Sequence, residues 1–474
     1  MKNTKFLLLG IISTLCVVGC SNNNSSNKGT SSKQREIEYY EDDGSEHAMP
    51  QNIYNNYGQD ASSQLVVQWH NEVGSTNQRV QITTEDDTDF TYAHNVEGDR
   101  RNFSINKSTY GNYDDRDIFR AAIDNLEPGT KYIYRVGADG AWSDTYYHLT
   151  AEGENDTDFS FTMCSDPQDA SHIEMEKTFT FANKYDPDHR FFYNCGDLVN
   201  YIGNKPEEMA DYMEYASKFN KYKIIGATQG NHDTYYNEPG NNYRWGEATI
   251  FNAFIANPGN GFQEDPTKSN TYFYIYNGLL FISLNTMISE KSNGYGPMTE
   301  WLTNVLDTYA TEVDYIVAAM HIGPFQSEND SEWAEPTVRD QLLPIFAQYK
   351  VDAVFYGHDH TYGRTNPLVL TGKETVNELK TFDTTPNPDG TVFSMVGATG
   401  PKFYELGSQS YQDNIFAARA VAKPGSFVNV KVEEDQLSIT AWRMPAKTVS
   451  GKEVIDEDGE IEKIDEYTIA KKDR

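Results

Sequence analysis

The stretch "DAVFYGHDHTYGR", residues 352–364, runs from an apolar segment of strand length into a glycine and two histidines one residue apart. Alone, a Gly-His-x-His turn is ambiguous, because surface turns carry glycine and histidine freely. Its pattern recurs, however. "FSFTMC" (159–164) leads into Ser165-Asp166-Pro167-Gln168, and "FFYNC" (191–195) leads into Gly196-Asp197-Leu198-Val199-Asn200-Tyr201. "KIIGAT" (223–228) precedes Gly230-Asn231-His232-Asp233, and "YIVAAM" (315–320) precedes His321. Helix-length segments at 171–184, 206–220, 298–310 and 337–349 lie between several of these runs, and strands alternating with helices indicate α/β layering. Ligands of such folds gather outside the carboxyl ends of strands, so five loops far apart in sequence can converge on one crevice. Glycines before three of the motifs permit the tight turns this requires.

Residues 50–150 follow a different grammar. "QLVVQWHN" (64–71), "RVQITT" (79–84), "FRAAIDNL" (119–126), "KYIYRVGA" (131–138) and "DTYYHLT" (144–150) are short strand-like runs separated by turn residues. That spacing suggests a β-sandwich. "LEPGTKYIYRVG" (126–137) is similar to the turn and strand of fibronectin type III-like domains, which serve as spacers or docking surfaces for a partner. His70 and His94 read as sandwich or loop residues. Composition changes at "AEGENDTD" (151–158), an acidic linker, and the tail from about 391 gives further strands before an exposed charged stretch.

The N-terminus reads as a targeting segment. Lys2 and Lys5 precede an apolar run, Phe6 to Val18, too short to span a bilayer as a helix, which needs about 20 residues. It ends in Val17-Val18-Gly19-Cys20, which resembles the lipobox of bacterial lipoproteins. The resemblance implies cleavage before Cys20, lipidation of its thiol, export, and anchoring to a bacterial membrane. Residues 21–34 have the composition of a flexible tether. With Cys16 lost and Cys20 lipidated, Cys164 and Cys195 remain, each at the end of an apolar run and placed as a small buried side chain. The 474 residues allow two or three domains, and the formal charge of −32 argues against nucleic acid as a partner. An acidic chain can still act on a small phosphate ester if metal ions supply local positive charge.

Carboxylate, imidazole and amide oxygen suit first-row metals such as Zn, Mn and Fe. Two ions about 3.5–4 Å apart need a bridging carboxylate, and two-metal sites serve in-line phosphoryl displacement. The ordered set Asp166, Gly196-Asp197, Gly230-Asn231-His232-Asp233, His321 and Gly357-His358-x-His360 resembles the calcineurin-like metallophosphoesterase family. The preceding sandwich, "HTYGR" (360–364), and "LLFISLNTM" (279–287) leading towards "YIVAAMHIGPF" (315–325) are similar to its purple acid phosphatase-like branch. The resemblance covers roughly residues 50–440. It implies an all-β sandwich domain (49–152) followed by an α/β metallophosphoesterase domain layered α-β-β-α (157–445), between a signal (1–19) with its tether (20–48) and a charged C-terminal segment (446–474).

Carried over residue by residue, the resemblance gives Asp166 and His360 to a first metal and Asn231, His321 and His358 to a second. Asp197 bridges both, and His232 lies near the leaving group rather than on a metal. The implied function is an exported phosphohydrolase, foremost a phosphomonoesterase, in which a metal-bound hydroxide attacks phosphorus in line and His232 protonates the departing alkoxide. A phosphodiesterase or nucleotidase would use the same metals, and a surface binding protein would have no need of an intact ligand set.

Three departures from the family pattern matter. Where purple enzymes carry a tyrosine on ferric iron, this chain has Asn200, with Tyr201 one residue later. A divalent pair (Mn, Zn or Fe(II)), a colourless protein and a pH optimum nearer neutral are therefore expected. Gln168 stands where many relatives place a histidine, its amide oxygen a candidate weak ligand or hydrogen-bond partner of a metal-bound water. Residues 322–336 lack the histidine that usually faces substrate. His172 reads as a surface residue, and Arg364 as either a substrate contact or, preferably, the structural partner of an acidic neighbour.

Overall fold

Two sheets face each other in the second part of the chain, and the site lies at their strand ends. The computed structural model describes residues 46–105, 113–153, 158–168, 171–200, 206–234, 248–263, 270–288, 295–328 and 335–474. The expected signal segment, Cys20 and Tyr201 lie outside them. The first sheet has six strands in the order Ile224–Ala227, Phe191–Asn194, Phe159–Cys164, Ser426–Val432, Gln436–Arg443 and Glu462–Ala470. The second has seven: Tyr272–Tyr276, Leu279–Leu284, Tyr315–Met320, Ala353–Tyr356, Val392–Val396, Tyr362–Thr365 and Phe416–Ala420.

The apolar runs are nearly continuous because both faces of each sheet are covered. Between the sheets, Phe161, Phe191, Tyr193, Phe281, Val317 and Phe355 share one core. Outside the first sheet, Phe192 and Ile225 pack with Phe179, Met209 and Tyr212 from the helices Ile173–Tyr185 and Pro206–Asn220. Outside the second, Leu280, Ile282 and Val354 pack with Leu302, Val305, Leu342 and Phe346 from the helices Gly296–Tyr309 and Glu335–Gln348. The layering is therefore α-β-β-α. Each such side chain contributes roughly 1.5–3 kcal/mol on burial, and their interlocking fixes where the strands end. Cys164 and Cys195 are buried free thiols in different core clusters.

The described residues between 51 and 149 form a β-sandwich. One sheet orders Gln51–Tyr57, Leu65–Asn71, Arg116–Ile123 and Asp99–Phe103; the other is built around Arg79–Thr84 and Lys131–Ala138. It is joined to the second domain by buried polar contacts. Tyr54 Oη donates to the Ile225 carbonyl, Asn55 Nδ2 donates to the Asn220 carbonyl at 3.0 Å, and the His70 ring meets the Ala253 carbonyl at 2.6 Å. His70 is thus a junction residue inside the structure.

The tail departs from the expectation of an exposed charged stretch. Ala446–Val449 and Lys452–Ile455 do form a largely exposed hairpin. Glu462–Ala470, however, pairs antiparallel with Gln436–Arg443 and completes the first sheet. Ile464, Tyr467 and Ile469 pack on the inter-sheet core, so an apolar set hidden among charges decides the outcome. Beyond it, Lys472 and Arg474 bury their cations against Asp352.

Candidate metal centre

Five loops from the two sheets, Ser165–Gln168, Gly196–Asn200, Gly230–Asp233, His321 and Gly357–His360, meet where the parallel strands end. The backbone bends sharply to deliver them: Asp166, Asp197, His358 and His360 have φ of 51°, 54°, 75° and 51°. Left-handed backbone in residues with a Cβ is strained and clusters at functional sites. Gly196 has φ of 100°, and a Cβ there would lie 2.6 Å from His321 Nδ1. A Cβ on Gly357 would lie 2.6 Å from Asp166 Oδ2. These two glycines are spacers between the loops.

The sequence-predicted ligands converge. Donor atoms of Asp197, His321 and His358 lie within 4.8 Å of one another, and so do those of Asp166, Asp197 and His360. Asp197 belongs to both groups. Asn231 joins the first group, its Oδ1 lying 2.9 Å from His321 Nε2 and 3.0 Å from His358 Nδ1. Asp166, Asp197, His321 and His360 are buried and His358 is partly so.

The polarity of these contacts tests whether the residues fit metal ions. His321 Nδ1 lies 2.8 Å from the Cys195 carbonyl, which only an N–H can satisfy. A neutral ring then has a bare lone pair at Nε2, facing the Asn231 oxygen and, at 3.3 Å, Asp197 Oδ2. His360 repeats the arrangement. Its Nδ1 meets the Lys402 carbonyl at 2.7 Å, and its Nε2 lies 3.4 Å from Asp166 Oδ1. Lone pairs turned on one another in a buried space need a proton or a metal cation between them, and a carbonyl behind each ring is the usual means of fixing a metal-binding tautomer. The donor set fits two first-row cations.

Burial disfavours the charged His321 ring, but the neighbouring Asp197 carboxylate outweighs it and raises the ring to about 9, so a proton and a metal ion compete for its Nε2 position. Burial and the neighbouring Asp197 raise the Asp166 carboxyl above the usual carboxylate range. Burial opposes ionisation of Asp197 too, but His321 and His232 outweigh it and hold the carboxyl low. Burial, with His321 nearby, lowers the His358 ring to about 3, and burial with Lys402 does the same for His360. Both imidazoles are held in the neutral form that ligates metal.

His232 stands beside the cluster. Its backbone N–H donates to Asp197 Oδ1 at 2.7 Å, and its Nδ1 meets the Asn200 carbonyl at 2.7 Å. Its Nε2 lies 4.0 Å from Asp197 Oδ2. Asn200 itself is exposed, and its carbonyl takes part rather than its amide.

Several neighbours differ from the sequence reading or were absent from it. Gln168 turns its amide nitrogen, not the oxygen, to Asp197 Oδ2, and its oxygen faces Lys402 Nζ at 3.4 Å. His172 is fully buried rather than on the surface. Its Nε2 meets the Leu198 carbonyl at 2.9 Å and its ring packs on Tyr212, so it supports the Asp197 loop. Asp233 is a further support, accepting from the Gly230 N–H at 2.8 Å and the Val199 N–H at 3.3 Å. A sixth loop, after strand Val392–Val396, had no metal-type residue to reveal it. It ties Thr399 N–H to the Ser165 carbonyl at 2.8 Å and Gly400 N–H to that of Asp166 at 3.1 Å. Asp359 is a spacer whose carboxylate accepts from the Ser327 N–H. Arg364 pairs with Asp465, away from the donors.

Residues 50–150 match the model of the purple acid phosphatase N-terminal domain, and residues 159–362 match the calcineurin-like phosphoesterase model. An uncharacterized protein of Mycobacterium tuberculosis is 26% identical over 339 residues, 66% of this chain and 61% of that protein. The chain thus spans less than two thirds of that relative's length. The Fe(3+)-Zn(2+) purple acid phosphatase 12 of Arabidopsis thaliana is 23% identical over 340 residues, 70% of this chain and 68% of its own. The solved purple acid phosphatase from yellow lupin seeds shares the fold with a TM-score of 0.71 at 16% identity, covering 89% of this chain and 74% of its own. PhoD does so at 0.61 and 13%, covering 90% and 91%.

Proposed function

We propose that this chain, a purple acid phosphatase N-terminal domain followed by a calcineurin-like phosphoesterase domain, is a metal-dependent phosphoric ester hydrolase acting foremost on monoesters. The observation that carries the reading is the pair of donor clusters sharing Asp197. Asp166 and His360 would hold one ion, Asn231, His321 and His358 the other, with Asp197 between them. Bound there, two cations supply Lewis acidity that neutralises the phosphoryl oxygens and activates water.

The chain's own groups do the rest. The Cys195 and Lys402 carbonyls hold His321 and His360 in one tautomer, and the His232 N–H fixes Asp197. The hydrogen bond to the Asn200 carbonyl keeps one proton on His232 Nδ1, so the imidazolium form carries its second proton at Nε2, on the Asp197 side, and that proton would pass to the leaving alkoxide, returning the ring to neutral.

Asn200 at the expected tyrosine position favours a divalent pair, Mn, Zn or Fe(II), and protein purified with native iron should show no visible charge-transfer band. The test of the site is metal analysis with turnover of p-nitrophenyl phosphate. Two metal equivalents per chain are expected, with turnover falling about a thousand-fold or more in Asp197→Ala. Full activity in that variant refutes the assignment. From its sequence alone, the protein is further proposed to be exported and anchored through lipid on Cys20. Loss of membrane association in Cys20→Ala would support this, and unchanged association would refute it.

A further inference from the structure

The sixth loop carries a cation that the donor set does not use. Lys402 gives its carbonyl to His360 Nδ1 at 2.7 Å, while its side chain runs back along the same wall. The ammonium lies 3.4 Å from Gln168 Oε1, and the other arm of that amide donates to Asp197 Oδ2. It also lies 5.2 Å from the Tyr404 ring, which packs on His360 at 4.9 Å between centroids. Among the described residues no carboxylate pairs with it, although the chain has 71 acidic residues against 39 lysines and arginines. Lys402 and Tyr404 are both partly exposed, so the ammonium stands at the rim of the centre, one amide group from Asp197.

A cation with no carboxylate partner among the described residues, beside a phosphate-handling centre, has one evident ligand class. We infer that Lys402 is a specificity-determining residue whose ammonium donates to a non-bridging oxygen of the substrate phosphate and favours monoesters over diesters. The inference rests on the phosphohydrolase reading above. A phosphate monoester near neutral pH carries nearly two negative charges, its second pKa being about 6, whereas a diester carries one. A single added cation therefore attracts the monoester about twice as strongly. Lysine suits this task because its ammonium is a point charge that can follow either oxygen, and Tyr404 limits where its stem can swing.

The test compares wild type, Lys402→Met and Lys402→Arg, each with its metal content measured. Substrates are p-nitrophenyl phosphate and bis(p-nitrophenyl) phosphate, and inorganic phosphate binding is followed by calorimetry. Lys402→Met keeps the backbone carbonyl that holds His360. It is expected to retain its metals, lose about 10- to 100-fold in monoester kcat/KM and weaken phosphate binding similarly. Diester turnover should change several-fold less, and Lys402→Arg should recover most of the monoester preference. An unchanged monoester-to-diester ratio, equal losses on both substrates, or loss of metal in Lys402→Met would each overturn the inference. If Asp197→Ala is inactive while Lys402→Met keeps the wild-type ratio, only the role of Lys402 fails. If Asp197→Ala keeps full activity, the phosphohydrolase reading fails with it.

Discussion

His189 and His321 are both enclosed by protein, yet their ring nitrogens meet opposite kinds of neighbour. At His189, Nε2 faces the Asn183 amide oxygen at 2.8 Å, and Nδ1 faces the Thr162 hydroxyl at 3.1 Å, nearer than the Phe191 carbonyl at 3.3 Å. A neutral ring satisfies both, donating at one nitrogen and accepting at the other. His70 is matched in the same way between the Ala253 carbonyl and the Asn52 amide, at 2.6 and 3.2 Å. At His321 the carbonyl of Cys195 takes the one proton of the neutral ring, and the other nitrogen meets only acceptors, Asn231 and Asp197. Burial does not separate the structural histidines from the proposed ligand here. The polarity of the second neighbour does, because a buried polar group left without a complement costs free energy until something supplies it.

The strongest way to break the comparison is to remove one ring of each kind. His321→Ala should lose the Asn231-side metal and about a thousand-fold in kcat, while its melting temperature without metal changes little. Metal analysis and calorimetry on the apo-protein check both points. Two retained equivalents would show that the acceptor-rich surroundings of His321 do not mark a ligand. His232 sharpens the contrast from the other side, since it touches Asp197 without being a proposed ligand. His232→Asn should keep both metals and lose about 100-fold or more in kcat. The loss should be smaller on esters whose leaving group needs no proton, such as p-nitrophenyl phosphate, than on alkyl phosphates.

The sequence conveys this division unevenly. Strand ends followed by Asp166, Asp197, Asn231, His321 and His358–His360 were readable because short apolar runs and ligand-type residues are local signals. The helix at 206–220 was readable to its last residue for the same reason. His172 was not: it sits in a polar stretch, and only the convergence of the Leu198 carbonyl and Tyr212 buries it. The orientation of the Gln168 amide depends on Lys402, 234 residues away. The pairing of Glu462–Ala470 with Gln436–Arg443 was masked by its charges. What failed in each case was a long-range partner, which neither composition nor periodicity specifies.

The structural histidines also define a smaller, global effect. His189→Ala leaves Asn183 and Thr162 without a partner and should cost about 1–3 kcal/mol of stability, with metal content and kcat/KM intact. Burial lowers His70 and His148 to about 4, and burial with Lys223 nearby lowers His189 to about 3. A folded-state pKa below the unfolded value near 6.5 means that the unfolded chain binds more protons between these limits. Stability from these rings is therefore complete above about pH 6.5 and is lost as the pH falls towards 4. Each ring contributes a slope of up to about 1.4 kcal/mol per pH unit. Urea unfolding of apo-protein at pH 7, 6 and 5 should show this decline, and His189→Ala should flatten it by one ring's share. An equal slope in wild type and variant would remove His189 from the matched class and leave the comparison resting on His70.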